Sequence, residues 1–286
     1  MSAPTRKTLD LPNGMRLSYL EWSAGGTTPL LLLHGMADHA MVWLSLGKAL
    51  QQTHHIIAPD LRGHGESSKP KTGYGFEQMI GDLEALMAAL NWESAHVLGH
   101  SWSAKLVTRW VHQAPERFRS LMLIDPAFMG TLPRWTKIIF PIYYKVLPFL
   151  KMLGPFENKA AAEAQARELK QYKGWSALQQ RVFEASVEEK ANGQWGSKFT
   201  IDAREPMFMD VMRVSGLTQP IDIPSLLVTM TQGINTSERQ LKPYKTYLTR
   251  LELCQLESNH WAFLVDPEAF EQAITQFLTQ QEPHSA

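Results

Sequence analysis

The stretch most suited to chemistry is Val97-Leu98-Gly99-His100-Ser101-Trp102-Ser103-Ala104, where an apolar run stops at a serine boxed between small residues. The residues before Gly99 have the character of a buried strand and those from Ala104 to His112 that of a helix, so Ser101 falls in the tight turn between them. Such a turn strains the backbone, lifts the hydroxyl clear of it and aims the first amides of the helix toward the same spot. It also crowds the positions two before and two after the serine, which Gly99 and Ser103 occupy with small side chains. The fuller pattern is G-x-S-x-G; Ser103 departs from it, and the small Ala104 beside it helps to accommodate the extra atoms. A serine hydroxyl becomes a competent nucleophile once a nearby base takes its proton. The same Gly-His-Ser also reads as an ordinary helix N-cap, and the turn alone does not separate the two readings.

Three further stretches converge on the same place. In "LLLLHGMADHAMVW" a strand ends at His34-Gly35 and leaves the amide of Met36 at the carboxyl edge of a sheet, where with the amide of Trp102 it could hold a developing oxyanion. "IIAPDLRGHGESSKP" ends the next strand in a Gly-rich turn around Asp60, Arg62 and His64, and "ESNHWAFLVDPEAF" places His260 just after the last strand. His34, His64 and His100 read as turn-packing residues. No pair among the ten histidines has metal-ligand spacing on a helix, so neither a metal nor another cofactor is expected.

These residues need a sheet edge to bring them together, and the rest of the chain reads as one. Two strand-like runs flank Asn13-Gly14, a dipeptide that accepts the positive φ angles of a tight hairpin. Short apolar runs then alternate with helices near Met41–Gln52, Phe76–Leu90, Ala104–His112, Ser237–Leu248 and Pro267–Leu278. That alternation predicts an eight-stranded, mostly parallel α/β sheet covered on both faces. It is interrupted once, giving a core of residues 1–126 and 223–286 and a helical, aromatic-rich insertion, a cap over residues 127–222, after the sixth strand.

The composition narrows the partners. In 286 residues, 28 Lys and Arg balance 28 Asp and Glu, so no electrostatic footprint for nucleic acid is present. A small, largely apolar substrate fits better. The single cysteine, Cys254, forms no intramolecular disulfide, and the opening residues carry no apolar run, which together predict a cytoplasmic protein.

Taken in order, the four motifs resemble those of the α/β-hydrolase superfamily, in particular its cap-bearing esterase and C–C hydrolase branch, from about Thr8 to Phe277. The resemblance implies Ser101 as nucleophile and His260 as the base that takes its proton and returns it to the leaving group. In many members the triad acid follows the seventh strand, but here that place reads "LLVTMTQGINTSERQ", with no Asp and only Glu238 some way on. Asp125, ending the sixth strand in "LMLIDPAF", occupies a position that some branches use, and is the favoured acid; a strand-ending turn is its other reading. Asp222 and Glu238 stay open, whereas Asp202 and Asp210 lie in the insertion.

Within the insertion, Ile138, Ile139, Ile142, Val146, Phe149, Leu150 and Leu153 recur near helical spacing, with Pro141 and Pro148 set to kink the run. The reading adopted is that this face packs on the core and covers the site. The alternative is an interfacial lid with Lys137, Lys145 and Lys151 near lipid headgroups. The expected activity is hydrolysis of an ester-like carbonyl through an acyl-enzyme. A C–C bond hydrolase would use the same serine and histidine, and a slow ligand-binding protein would retain the pocket. Epoxide hydrolysis and dehalogenation need a carboxylate nucleophile, against which Ser101 stands.

Overall fold

The computed structural model describes residues 3–139 and 147–281. In chain order the first half contains β1 (Thr5–Asp10), β2 (Arg16–Trp22), β3 (Thr28–Leu33), α1 (Leu44–Leu50), β4 (His54–Pro59), α2 (Phe76–Ala89), β5 (Ala95–His100), α3 (Trp102–Gln113) and β6 (Phe118–Ile124). The segment that follows holds α4 (Lys159–Arg167), α5 (Ala177–Ser186), β7 (Val187–Glu189), β8 (Trp195–Ser197) and α6 (Ile201–Arg213). The chain then completes the sheet with β9 (Ser225–Gln232), α7 (Glu238–Tyr247), β10 (Leu251–Asn259), α8 (Ala262–Val265) and α9 (Pro267–Gln281).

Eight strands form one sheet in the order β1-β2-β4-β3-β5-β6-β9-β10. Only β1 with β2 and β2 with β4 run antiparallel; every other pairing is parallel. The central strands are buried on both faces, which is why they read as continuous apolar runs. Leu30 and Leu32 face one core while Leu31 and Leu33 face the other, the period of two that a strand imposes. α2 and α3 cover the Leu31 face, and α1 and α9 the Leu30 face.

The first hairpin is looser than a two-residue turn. Gly14 donates to Leu11 O at 3.0 Å, and Gly14, at φ 80°, is the one loop residue in the left-handed region, so Pro12 and Asn13 form the turn and Gly14 relaxes it.

The segment from 127 to 222 contributes no strand to the main sheet among the described residues, but it is not wholly helical. β7 and β8 pair as a separate antiparallel hairpin closed by Gly193 at φ 78°. The Asn192-Gly193 dipeptide carried the same turn signal as Asn13-Gly14, but its flanking strands, three residues each, are too short to show a period. The expected apolar helical face over 138–153 is also revised. Its middle, including Pro141, Ile142, Lys145 and Val146, lies outside the described residues, and its flanks, Arg134–Ile139 and Pro148–Leu153, are 3₁₀ turns. With three residues per turn, a spacing near 3.6 no longer stays on one face. Leu150 is accordingly buried, whereas Ile138 is 80% exposed instead of packing on the core.

Candidate active site

The site lies where β3, β5, β6 and β10 end. Ser101 follows β5 at φ 54° and ψ −109°, a conformation that non-glycine residues rarely adopt and that costs on the order of 1–3 kcal/mol. Its backbone is pinned on both sides: Ser101 N donates to Ile124 O at 2.9 Å, and Ala127 N donates to Ser101 O at 2.9 Å. The residue precedes the first turn of α3, but its side chain makes no capping hydrogen bond and its φ is not the extended one of a capping serine.

The neighbours explain how so tight a turn is built. A Cβ on Gly99 would lie 2.8 Å from Ser103 O and 2.9 Å from Ala104 Cα, so only glycine fits against the helix there. Ser103, far from being a bump, is a clip. Its Oγ accepts from His100 N at 3.0 Å and donates to Leu33 O at 2.9 Å, tying the end of β5 to the end of β3.

Asp125 also has a positive φ, 37°, and its side chain is fully buried. His260 Nδ1 donates to Asp125 Oδ2 at 2.6 Å. The remaining acceptor capacity of the carboxylate is filled by the loop after β9: Ile234 N donates to Oδ2 at 2.8 Å, while Asn235 donates to Oδ1 through both its amide N and Nδ2 at 3.1 Å. Burial pushes this carboxyl up, but the His260 bond and charge, with the Ile234 and Asn235 donors, outweigh it and hold it below the ordinary carboxylate range. The strand end that carries no acid therefore takes part as a set of donors around an acid carried by β6. Gly233 permits this, because a Cβ there would collide with the Asp125 carboxylate.

Asp222 and Glu238, the other candidate acids, are engaged elsewhere. Asp222 accepts from Thr249 Oγ1 at 2.7 Å, and Glu238 pairs with Lys245 at 2.7 Å on α7. Asp202 pairs with Lys71, and Asp210 accepts from Phe76 N at 2.6 Å at the start of α2.

The histidines near the motifs fix loops. His34 Nε2 accepts from Leu61 N at 3.0 Å, so its Nδ1 carries the proton that reaches Gly35 O at 2.8 Å; burial lowers its pKa and keeps the ring neutral. His64 Nε2 accepts from Ala37 N at 3.2 Å, fixing the loop that carries Met36. Asp60 anchors the same loop through Ala40 N at 2.7 Å and pairs with Arg6 at 2.6 Å. His100 Nε2 donates to His260 O at 3.0 Å, and the two rings lie 4.5 Å apart.

Ser101, His260, Met36 and Trp102 open onto one cavity of about 350 Å³, otherwise largely apolar apart from Lys170, Gln171 and Gln232, to which α6 contributes Phe208 and Val211. The Trp102 amide, in the first turn of α3, has no intrahelical acceptor by position. Sequence reasoning did not find Ile234 and Asn235 as partners of the acid; the Gly-Ile-Asn that closes β9 was the available signal. No group of acidic, histidine or cysteine side chains suited to a metal occurs among the described residues.

The sequence profile of the alpha/beta hydrolase fold family matches residues 28–267. The chain belongs to the alpha/beta hydrolase fold family. It is 34% identical over 113 residues to a soluble epoxide hydrolase of Corynebacterium sp. (strain C12), 40% of this chain and 39% of that protein. It is 26% identical over 275 residues to a fluoroacetate dehalogenase of Burkholderia sp, covering 89% and 88% of the two chains. The crystal structure of E-2-(acetamidomethylene)succinate hydrolase superposes with a TM-score of 0.79 at 23% identity, over 96% of this chain and 99% of that one. The alignment with the first of these spans well under half of that enzyme's length. No helix among the described residues is long and apolar enough to cross a membrane.

Proposed function

We propose that the protein is a serine hydrolase that cleaves an ester-like carbonyl bond in a small, largely apolar substrate through an acyl-enzyme. The observation that carries this reading is the strained Ser101, uncommitted to capping, in the same cavity as a His260 ring that Asp125 holds by Nδ1. With Nδ1 protonated and bonded to the carboxylate, Nε2 is left as the basic nitrogen.

In the reaction, Ser101 Oγ attacks the carbonyl carbon as His260 Nε2 takes its proton. The oxyanion forms beside the amides of Met36 and Trp102, and the tetrahedral adduct then collapses: the carbonyl re-forms and the bond to the leaving oxygen breaks as the imidazolium gives that oxygen its proton. Water, deprotonated by the same imidazole, then attacks the acyl carbon and releases the acid and Ser101. The relatives named for epoxide hydrolysis and dehalogenation do not set the reaction of this chain, because those chemistries call for a carboxylate where this sequence has Ser101.

A fluorophosphonate should label the protein once, at Ser101, and Ser101→Ala should lower turnover of p-nitrophenyl esters by up to ~10⁶-fold. Labelling that persists in folded Ser101→Ala would overturn the reading. A ring-fission diketone cleaved faster than every ester would move the substrate to a carbon–carbon bond while leaving Ser101 and His260 in place.

A further inference from the structure

Beside the largely apolar cavity lies a second, much smaller one of about 20 Å³, and its lining is more polar. Asp38, His39, Gln171, Tyr172, Ser186 and Ser197 surround it. Met36, Phe149, Gln171 and Trp261 line both cavities, so the two adjoin along that wall. A space of this size holds about one water-sized group, since roughly 10–15 Å³ is the least that a water needs.

Several of the polar groups are already committed. His39 Nε2 meets Val182 O at 3.1 Å, Ser186 Oγ donates to Phe183 O at 2.7 Å, and Ser197 Oγ accepts from Phe199 N at 3.0 Å. Asp38 uses one oxygen only: Oδ2 accepts from Trp261 Nε1 at 3.3 Å and lies 3.7 Å from His100 Nδ1. Asp38 Oδ1 and the Gln171 side-chain amide make no hydrogen bond among the described residues, although Gln171 is buried. A half-buried carboxylate oxygen and a buried carboxamide that line one water-sized space suit a partner that both donates and accepts.

We propose that this pocket is a specificity subsite for a hydroxyl group of the substrate, which donates to Asp38 and accepts from Gln171. The inference rests on the ester-hydrolase reading only in placing the rest of the substrate in the adjoining cavity. It narrows the substrate class to esters that carry a hydroxyl at a set distance from the scissile carbonyl. Burial raises the Asp38 carboxyl to about 7, against the pull of the His260 charge and the Trp261 hydrogen bond, so the group also rests without a full unpaired charge near neutrality. Asp38 and Gln171 touch the non-reacting end of the substrate in this scheme and take no part in bond breaking.

The test is calorimetric binding to Ser101→Ala protein, which removes turnover from the measurement. Two ligand series are titrated, methyl esters of ω-hydroxy acids and monoacetates of α,ω-diols, each beside its counterpart with methyl in place of hydroxyl. The expected result is a sharp optimum: at one chain length in one series the hydroxylated ligand binds tenfold or more tighter than its counterpart. Adding Asp38→Leu or Gln171→Leu should erase that preference, so that within each variant the hydroxylated ligand and its methyl counterpart bind with Kd values within about threefold of one another. Asp38→Asn, closest in shape, guards against misfolding and should weaken the preference without abolishing it. Equal affinities at every length in both series overturn the subsite and leave the pocket to a water. A preference that survives both leucine substitutions overturns it as well. Because no hydrolysis is read, a failure here is separate from a failure of the serine-hydrolase reading, which wild-type turnover of the unsubstituted esters tests alone.

Discussion

On the sheet side of the main cavity, position is set by the backbone: Ser101 and Asp125 both stand at positive φ, and their amides and carbonyls are tied to β6, β9 and the turn beyond. On the insertion side, Phe208 and Val211 come from α6, which side chains hold against the core. Lys105, buried four residues after Ser101, donates to Phe128 O at 2.6 Å, Gly130 O at 2.9 Å and Val211 O at 2.5 Å. Trp102 Nε1 reaches Met207 O at 2.9 Å, and Asp210 accepts from the start of α2. A backbone held by strand ends fixes atoms to the tolerance that bond making requires, while a helix held by side-chain contacts sets the shape and volume of the space. Substitutions on the first wall should therefore lower kcat, and those on the second should shift KM and chain-length preference.

The largest effect that sharpens this contrast is on the sheet wall. Asp125→Asn keeps the shape of the side chain but offers His260 the wrong tautomeric partner, and turnover should fall on the order of 10⁴-fold with folding retained. Asp222→Asn, whose side chain meets Thr249, should leave kcat within about twofold. Near-normal turnover in a folded Asp125→Asn enzyme would make the β6 wall a scaffold and nothing more.

How much of this was legible in the sequence follows from the same division. The elbow around Ser101, the strand ends at His34 and His260, and the order of helices are local signals, written in runs of apolar residues and small turn residues. The carboxylate partner was a matter of which strand end faces His260, and the motif order pointed to Asp125 without showing that Ile234 and Asn235 wrap it. Those donors belong to a loop more than a hundred residues away, and of them only Asn235 Nδ2 is written in a residue type, since backbone amides leave no such trace. The Asn192-Gly193 hairpin and the 3₁₀ turns of the insertion were hidden for another reason, since strands of three residues and single turns are too short to show a period. Asp38 stood in plain view within "HGMADH", but its partner Trp261 and Gln171, which lines the same small cavity, come from distant elements.

On the insertion wall the expected effects are smaller and selective. With wild-type enzyme, kcat/KM for p-nitrophenyl esters should rise about three- to fourfold per methylene from acetate until the cavity is full, the value that roughly 0.8 kcal/mol per buried methylene implies. Val211→Trp should cut that climb short, raising KM for the longer esters about tenfold or more while acetate is unaffected. An equal loss for acetate and for the long esters would mean that α6 positions the reacting atoms after all. All assays run below the aggregation threshold of the esters; a rate that jumps only above it would instead favour an insertion that meets a lipid surface.

Asp38 gives the comparison a pH axis. Its carboxyl, raised to about 7, keeps in the folded state a proton that the unfolded chain releases near ~3.9. Stability from this group is intact below the unfolded value, declines as pH rises from there to about 7, and is level above it. Asp38→Asn removes the titration, so the difference in Tm, variant minus wild type, should increase by a few degrees between pH 5 and pH 8. A difference that does not change with pH would show that Asp38 does not titrate on folding.

The smallest expected effect on catalysis comes from restoring the glycine of the G-x-S-x-G pattern. Ser103→Gly removes the clip between β3 and β5 and leaves the buried His100 amide without its acceptor, a loss of about 1–3 kcal/mol, to which a glycine in the first turn of α3 adds up to ~1 kcal/mol. Ser101 keeps its own anchors, the bonds to Ile124 O and from Ala127 N, so the hydroxyl should stay in place. The variant should melt several degrees lower while kcat remains within about threefold. Were kcat to fall a hundredfold in a variant that is still folded at the assay temperature, the Ser103 hydroxyl would belong to the positioning of the nucleophile, and the departure from the pattern would be part of how this chain holds Ser101.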